Sequence, residues 1–262
     1  MIAFKHIDGG GTHHHYNKSF KGFTLAEVLI TLGIIGVVAA MTLPTLISNY
    51  QKRVYVNQLK KASSVLSNGF KLMMAHDGVT ELKDTYAFSG ITGTVTYLIG
   101  EPTQSCTVGN TLENINTDDC RSIREGFSDA FSAVRFTSCD GVQMKYLNGD
   151  NYHVRSTDTT CIEFADGSVI FSGVFNVSPY SSVLPYQAQF WIDINGPKNP
   201  NTIGRDIFDF YVGANGTARG RGSNSDNENK SWRSDNSDHN CVIYGRGLGC
   251  AGRVLEEDAM NY

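Results

Sequence analysis

Residues 23–43 read FTLAEVLITLGIIGVVAAMTL, and Glu27 is the single charge among these 21 positions. As a helix the run is roughly 31 Å long, about the depth of one hydrocarbon core. It therefore reads as a transmembrane helix, 23–43. Glu27 is the anomaly in it. A charged carboxylate at mid-bilayer costs on the order of 2.5–3.5 kcal/mol, and less near an end. One turn into the helix, the positive end of the macrodipole offsets about 0.3–1 kcal/mol of that. Either the acid snorkels to the headgroups or it awaits a cation on another chain.

A cation is available if the Gly22–Phe23 bond is cut. Residues 1–22 have no apolar periodicity and carry a triple glycine, a triple histidine and late lysines, which marks them as a leader. The triple glycine lacks the Lys-Ser/Thr of a phosphate loop. Cleavage leaves an amine on Phe23 that is largely protonated at neutral pH. In a staggered neighbour that amine meets Glu27. Removing one partner of a pair so buried costs about 3–5 kcal/mol, which makes Glu27 a registry device between chains.

The run Lys21-Gly22-Phe23-Thr24-Leu25-Ala26-Glu27-Val28-Leu29-Ile30 resembles the processing site of type IV prepilins and type II secretion pseudopilins. The resemblance covers roughly residues 18–60. It implies a membrane peptidase that cuts after Gly22, N-methylation of Phe23, and a role for Glu27 in assembly. Pro44 matches a helix-breaking proline common in that family. The leader is longer than is usual there. The resemblance implies a subunit of a type IV pilus or a pseudopilus, with its leader in the cytosol and its globular part outside. Expected partners are a prepilin peptidase, other pilin or pseudopilin subunits, an inner-membrane assembly platform and membrane lipid.

Other readings of the segment remain. An ordinary secretory signal would cut near Ala39-Ala40 and carry an exported binding or hydrolytic domain, but then Glu27 falls inside the apolar region. A plain uncut anchor is also possible. Lysines and arginines flank both ends of the run, so charge does not orient it. Gly36 and Ala40, with Gly33 nearby, are spaced for close helix packing.

Past Pro44 the residues Tyr55, Leu59, Ala62, Leu66, Phe70 and Met73 recur at steps of three and four. That predicts an amphipathic continuation to about residue 75, laid on a globular domain over 76–262. Within it, Thr117-Asp118-Asp119 offers a cap for a helix bearing Ile123, Phe127, Ala130, Phe131 and Val134. Residues 161–164 and 168–171 flank Asp166-Gly167 as a hairpin, and 186–194 and 206–212 read as further strands. The Gly-, Asn- and Ser-rich stretch 214–240 reads as a flexible loop. The expected fold class is α+β, a long N-terminal helix packed on an antiparallel sheet, as in pilins.

Six cysteines, at 106, 120, 139, 161, 241 and 250, form no Cys-x-x-Cys pair. An even count with loop-sized gaps fits disulfides made outside the cytosol, against the alternative of buried thiols. Short gaps favour Cys106–Cys120, Cys139–Cys161 and Cys241–Cys250. The stretch from Asp193 through Asn195 to Asp206 places oxygen ligands on a tight turn. That suits calcium, and it is similar in placement to a calcium loop of some pseudopilins, though it is not an EF-hand. The alternative, and the commoner use of such residues, is a strand-to-strand turn whose Asp and Asn side chains bond their own backbone. No other cofactor is expected. His76, His153 and His239 are scattered, and no hydrolase, zincin or phosphate-loop motif is present, so no enzyme is expected. The net charge of −4 splits into +2 on the first 22 residues and −6 on the rest, which argues against nucleic acid.

Overall fold

Helix α1 runs Leu25–Asp77, 53 residues, with Pro44 inside it. The backbone stays helical through Pro44, so the proline removes one hydrogen bond without ending the element. The computed structural model describes residues 22–89, 94–97, 125–131, 135–138, 142–152, 160–176, 187–223, 232–233 and 240–262. The chain divides into two units, Met1–Ser48 and Asn49–Tyr262.

In the first unit the apolar side chains of α1 are exposed, from Leu25 to Ile47. The hydroxyls of Thr31 and Thr42 bond back to the carbonyls of Val28 and Val38, at 3.0 Å each. Polar groups in the run are thereby satisfied within the helix itself, as an apolar surrounding demands. This helix is long and apolar enough to cross a membrane.

In the second unit α1 is one-sided. Val56, Leu59, Ala62, Leu66, Phe70 and Met73 are buried, and Tyr55 is packed against the same core. The step of three and four read from the sequence is the stripe that packs. Phe70 is its centre. Its ring stacks on Phe190 at 5.3 Å and meets Phe127 and Phe131 edge-on at 5.8 and 5.3 Å. Phe127 lies in α3, helical over 125–130, and Phe131 follows its last residue. A Cβ on Gly69 would lie 2.1 Å from the Phe131 ring, so only glycine permits this approach. After α1 come a 3-10 turn, Leu82–Asp84, and a short helix α2, Tyr86–Ser89.

Seven strands form the main sheet: β1 (Thr94–Tyr97), β2 (Arg135–Ser138), β5 (Thr160–Glu163), β6 (Val169–Asn176), β7 (Ala188–Asp193), β8 (Ile207–Val212) and β9 (Ala218–Gly220). Its order is β2-β5-β6-β7-β8-β9, with every pairing antiparallel. β5 and β1 follow one another along one edge of β6, with Ile162 opposite Ile170 and Tyr97 opposite Gly173. A second sheet is the hairpin β3 (Met144–Lys145) and β4 (Asn151–Tyr152).

Alternation sets the two faces. Ala188, Phe190 and Ile192 of β7 join the core under α1, as do Phe208, Phe210 and Val212 of β8. On the other face Val169, Phe171, Ile203 and Ile207 pack with Met144 and Leu248, and Tyr146, Tyr152 and Trp191 flank them. Helix α4, Cys250–Glu257, places Ala251 and Val254 in the core. Beyond it, Lys52 Nζ donates to the carbonyls of Met260 at 2.9 Å and Tyr262 at 3.3 Å.

The α+β class with an antiparallel sheet is the observed architecture. The loop expected over 214–240 is not a loop at its start. Ala218–Gly220 pairs with β8, and Gly252 N donates to the Arg221 carbonyl at 2.8 Å. The glycines that read as loop composition have a packing use here. A Cβ on Gly220 would lie 2.9 Å from the Ala251 side chain, so glycine is what lets α4 close over the sheet edge. The cap expected at 117–119, with residues 123 and 134 of the helix it begins, lies outside the described residues, as does Tyr186 of the strand read over 186–194.

Phe70→Ala is expected to cost about 3–5 kcal/mol in denaturant unfolding of the detergent-solubilised chain. Leu72→Ala, two positions on along the same helix but 54% exposed, should stay within about 0.5 kcal/mol.

Candidate functional site

Gly22, Phe23 and Thr24 precede the helix, and all three are exposed. A Cβ on Gly22 would meet no atom within 4 Å, so the Gly22–Phe23 bond is open to a processing enzyme. Thr24 and Glu27 then satisfy one another. Thr24 N and Thr24 Oγ1 each donate to Glu27 Oε2 at 2.8 Å. Glu27 N donates back to Thr24 Oγ1 at 3.2 Å. This is a reciprocal capping box, which pairs backbone donors that a helix start otherwise leaves free. Both bonds to the carboxylate fall on Oε2. Among the described residues Oε1 accepts none and remains available to a cation.

Glu27, a lone acid in the sequence, is paired in the structure with Thr24, a capping role that the place of Thr24 in the processing motif does not announce. The signal was present as Thr24-x-x-Glu27 ahead of an apolar run. Farther along, Cβ atoms on Gly33 or Gly36 would meet nothing within 4 Å, so the small-residue face is open.

The second candidate is the turn between β7 and β8. Asp193 and Asp206 are buried, at 3% and 0% exposure, and the fold does bring Asn195 to them. Asp206 accepts from Asn201 N at 2.8 Å, Thr202 N at 2.6 Å and Asn195 Nδ2 at 3.3 Å. Asp193 Oδ1 accepts from Asn195 N at 3.1 Å. The side-chain amide of Asn201 faces Asp193 Oδ2 at 3.3 Å and the Lys198 carbonyl at 2.9 Å. With its nitrogen there, the amide donates to both. Asn195 Oδ1 is buried without a hydrogen-bond partner. Among the described residues no three His, Cys, Asp or Glu side chains cluster, so any metal here would rely on amide and carbonyl oxygens beside the two carboxylates.

Burial pushes the Asp193 carboxyl up to about 8, and the charge of Asp206 adds to the shift. Bonds from Asn195 and Gly196 N–H groups oppose it. Asp206 is also raised by burial, in spite of its donors.

Cys241 and Cys250 are disulfide-bonded, with Cα atoms 4.8 Å apart. Cys161 is also in a disulfide, while Cys106, Cys120 and Cys139 lie outside the described residues. His76 Nδ1 lies 2.9 Å from Asp77 Oδ1, and His153 and His239 lie outside the described residues.

The fold defines a class before any comparison does: a long apolar N-terminal helix on an antiparallel sheet, an α+β pilin-like architecture. Residues 17–43 match the family model of the prokaryotic N-terminal methylation motif, the signature of type IV pilins and pseudopilins. Gly22, Phe23, Thr24 and Glu27 all fall inside the match. Searches of curated proteins and of solved structures return no match to the chain. The motif and the apolar helix fit a membrane-anchored, single-pass protein.

The acid turn sets a pH dependence. A free Asp titrates near 3.9, and Asp193 holds its proton to about 8 in the fold. Its contribution to stability is full below about pH 4 and is lost as pH rises through about 8. Asp193→Asn should therefore gain on the native chain from pH 5 to pH 8, by at most about 1.4 kcal/mol per unit, in urea unfolding with a chelator present. A gap independent of pH would mean that Asp193 is ionised throughout.

Proposed function

We propose that this chain is a pilin-like structural subunit. It is cut after Gly22, methylated on the new amine of Phe23, and assembled from the inner membrane into a type IV pilus or a type II secretion pseudopilus. What carries the reading is coincidence in position: the methylation motif over 17–43 spans an exposed Gly-Phe bond and an acid one turn later. A prepilin peptidase, an assembly platform and other subunits are the partners this requires. The globular part lies outside the cytosol, which suits its disulfides.

The mechanism is binding, not turnover. In the single chain the Thr24 box holds one oxygen of Glu27. In the filament the ammonium of a neighbouring Phe23 takes the other. Insertion becomes favourable only where that amine arrives at the right height, which fixes the axial step.

Mass spectrometry of the membrane-extracted protein should find N-methyl-Phe23 as its first residue. Glu27→Ala should leave that processing intact and lower incorporation into filaments about a hundredfold or more, the scale of losing a buried pair. A mature start at Met41 would support an exported domain on an ordinary signal, and normal incorporation of Glu27→Ala would remove the registry role.

A second proposal concerns the β7–β8 turn. Calcium bound there would draw on the Asp193 and Asp206 carboxylates and the Asn195 amide oxygen. The two buried carboxylates and the unpartnered Asn195 Oδ1 support it. Calcium should then raise the thermal midpoint of the native chain by several degrees, and Asp193→Asn should lose that response. Magnesium, which resists flexible carbonyl cages, should not substitute. Equal midpoints in calcium and in chelator would leave the turn a hydrogen-bonded one.

A further inference from the structure

Beyond Tyr50, the exposed large apolar side chains among the described residues are Leu72 (54%), Tyr86 (52%), Ile243 (63%) and Tyr244 (79%). They fall in two places. Ile243 and Tyr244 stand side by side on one turn. Leu72 and Tyr86 line a cavity of about 190 Å³, with Met73 and Ala130 as further apolar wall. Asp77 and Asp129 sit among the lining residues. The first place is a projection and the second a hollow.

The projection is stiff. Gly245 N donates to the Val242 carbonyl at 2.8 Å, so Ile243 and Tyr244 occupy the two corners of a tight turn. Turn corners favour Gly, Pro, Asn and Asp, so nothing in the turn itself asks for Ile and Tyr. The Cys241–Cys250 bond closes the loop over a separation of 9 residues. Its base is pinned as well. Asn148 N donates to the Gly245 carbonyl at 3.0 Å, and an Arg253 guanidinium nitrogen donates to the Cys241 carbonyl at 2.7 Å. An apolar pair held this way loses little conformational freedom on docking.

The hollow suits the projection in size and in charge. A void of about 150 Å³ admits benzene, so this one admits a tyrosine ring. The tyrosine hydroxyl needs a polar partner at its far end, and the exposed Asp129 carboxylate provides an acceptor, whereas Asp77 already accepts from Tyr86 N at 2.7 Å and faces His76 Nδ1 at 2.9 Å. Arg246, two residues beyond Tyr244, is exposed and brings a positive charge to an acidic rim. His76 and the Tyr86 phenol are the other titratable groups in the lining.

We infer that Tyr244 of one copy inserts into the Leu72–Tyr86–Ala130 hollow of a second copy, with Ile243 beside it and Arg246 against Asp129. The occupant is the same chain because both halves of the contact are on it, and both are turned outward. A projection and a hollow at different places on one surface make a head-to-tail contact. Repeated, such a contact gives a ring where its rotation closes and an open helical array where it does not, and never an isologous pair. The inference deepens the filament reading and rests on it for its biological setting, but the contact is measurable by itself.

The test places a photoreactive benzoylphenylalanine at position 244 of the full chain, irradiates membranes and sheared filaments, and maps the adducts. Expected are adducts joining position 244 to residues 72–86 or 125–130 of a second copy. Arg246→Glu should lower their yield by at most about fivefold, the scale of an exposed ion pair, and adding Asp129→Arg should restore it. Leu72→Glu should lower the yield about tenfold or more by placing a charge in the hollow. Adducts only within one chain, only elsewhere on the second copy, or none at all would overturn the contact. Filaments that form with adducts elsewhere overturn this contact alone. The expected adduct from chains that never form filaments keeps the contact and removes the filament assignment.

Discussion

The second unit is built on one stripe of α1. Leu59, Leu66 and Phe70 are fully buried, and the Phe70 ring meets those of Phe127, Phe131 and Phe190. The sheet supplies the matching surface through alternation, with Phe190 and Ile192 on β7 and Phe208 and Phe210 on β8. Each deep aliphatic or aromatic side chain in such a core is worth roughly 1.5–3 kcal/mol of burial. The tolerance is narrow where α3 crosses α1, because the Phe131 ring occupies the space that any side chain at position 69 would need. Position 69 is thus fixed by packing while position 72, facing out, is not.

The same helix obeys a different rule over its first turns. On the reading of this segment as a membrane anchor the surrounding is apolar, and what must be satisfied is polarity, not apolar area. Thr24 and Glu27 meet that need reciprocally, and Thr31 and Thr42 meet it by bonding to their own helix. On the filament reading, the capping box also solves a storage problem. A subunit waiting in the bilayer holds its acid half-satisfied by a local hydroxyl. Docking then supplies the remaining partner, so the acid favours assembly without making the waiting state prohibitive.

Several of these features were legible in the residues. The stripe from Tyr55 to Met73 has a strong period, the hairpin carries its Asp166-Gly167 turn signal, and β7 and β8 are apolar runs of strand length. The short strands were not legible. β3 and β4 have two residues each, too few for alternation, although Asn148-Gly149 between them is a hairpin turn signal that was passed over. β9 was hidden by composition, since Ala218-Arg219-Gly220 reads as loop until α4 is known to lie against it. At the candidate sites, Gly22, Phe23 and Glu27 stood out by motif. Thr24 did not, because its role is a bond to a neighbour three residues away. The company of Asn201 and Lys198 in the acid turn required the path of the chain, not its spelling.

Lys52 reaches the carbonyls of residues 260 and 262, across separations of 208 and 210 positions. A ribosome delivers these partners at opposite ends of a long interval. Until residues 250–262 arrive, the greasy side of α1 has only part of its cover, and Cys241 has no Cys250 to join. Maturation therefore cannot proceed piecemeal from the amino end; it converges when the tail is delivered. For a chain fastened to a bilayer by its own first helix, that delay is safer than it would be in free solution. Tethering keeps half-finished neighbours from colliding in three dimensions, and it keeps the waiting segment beside the tail that will cover it.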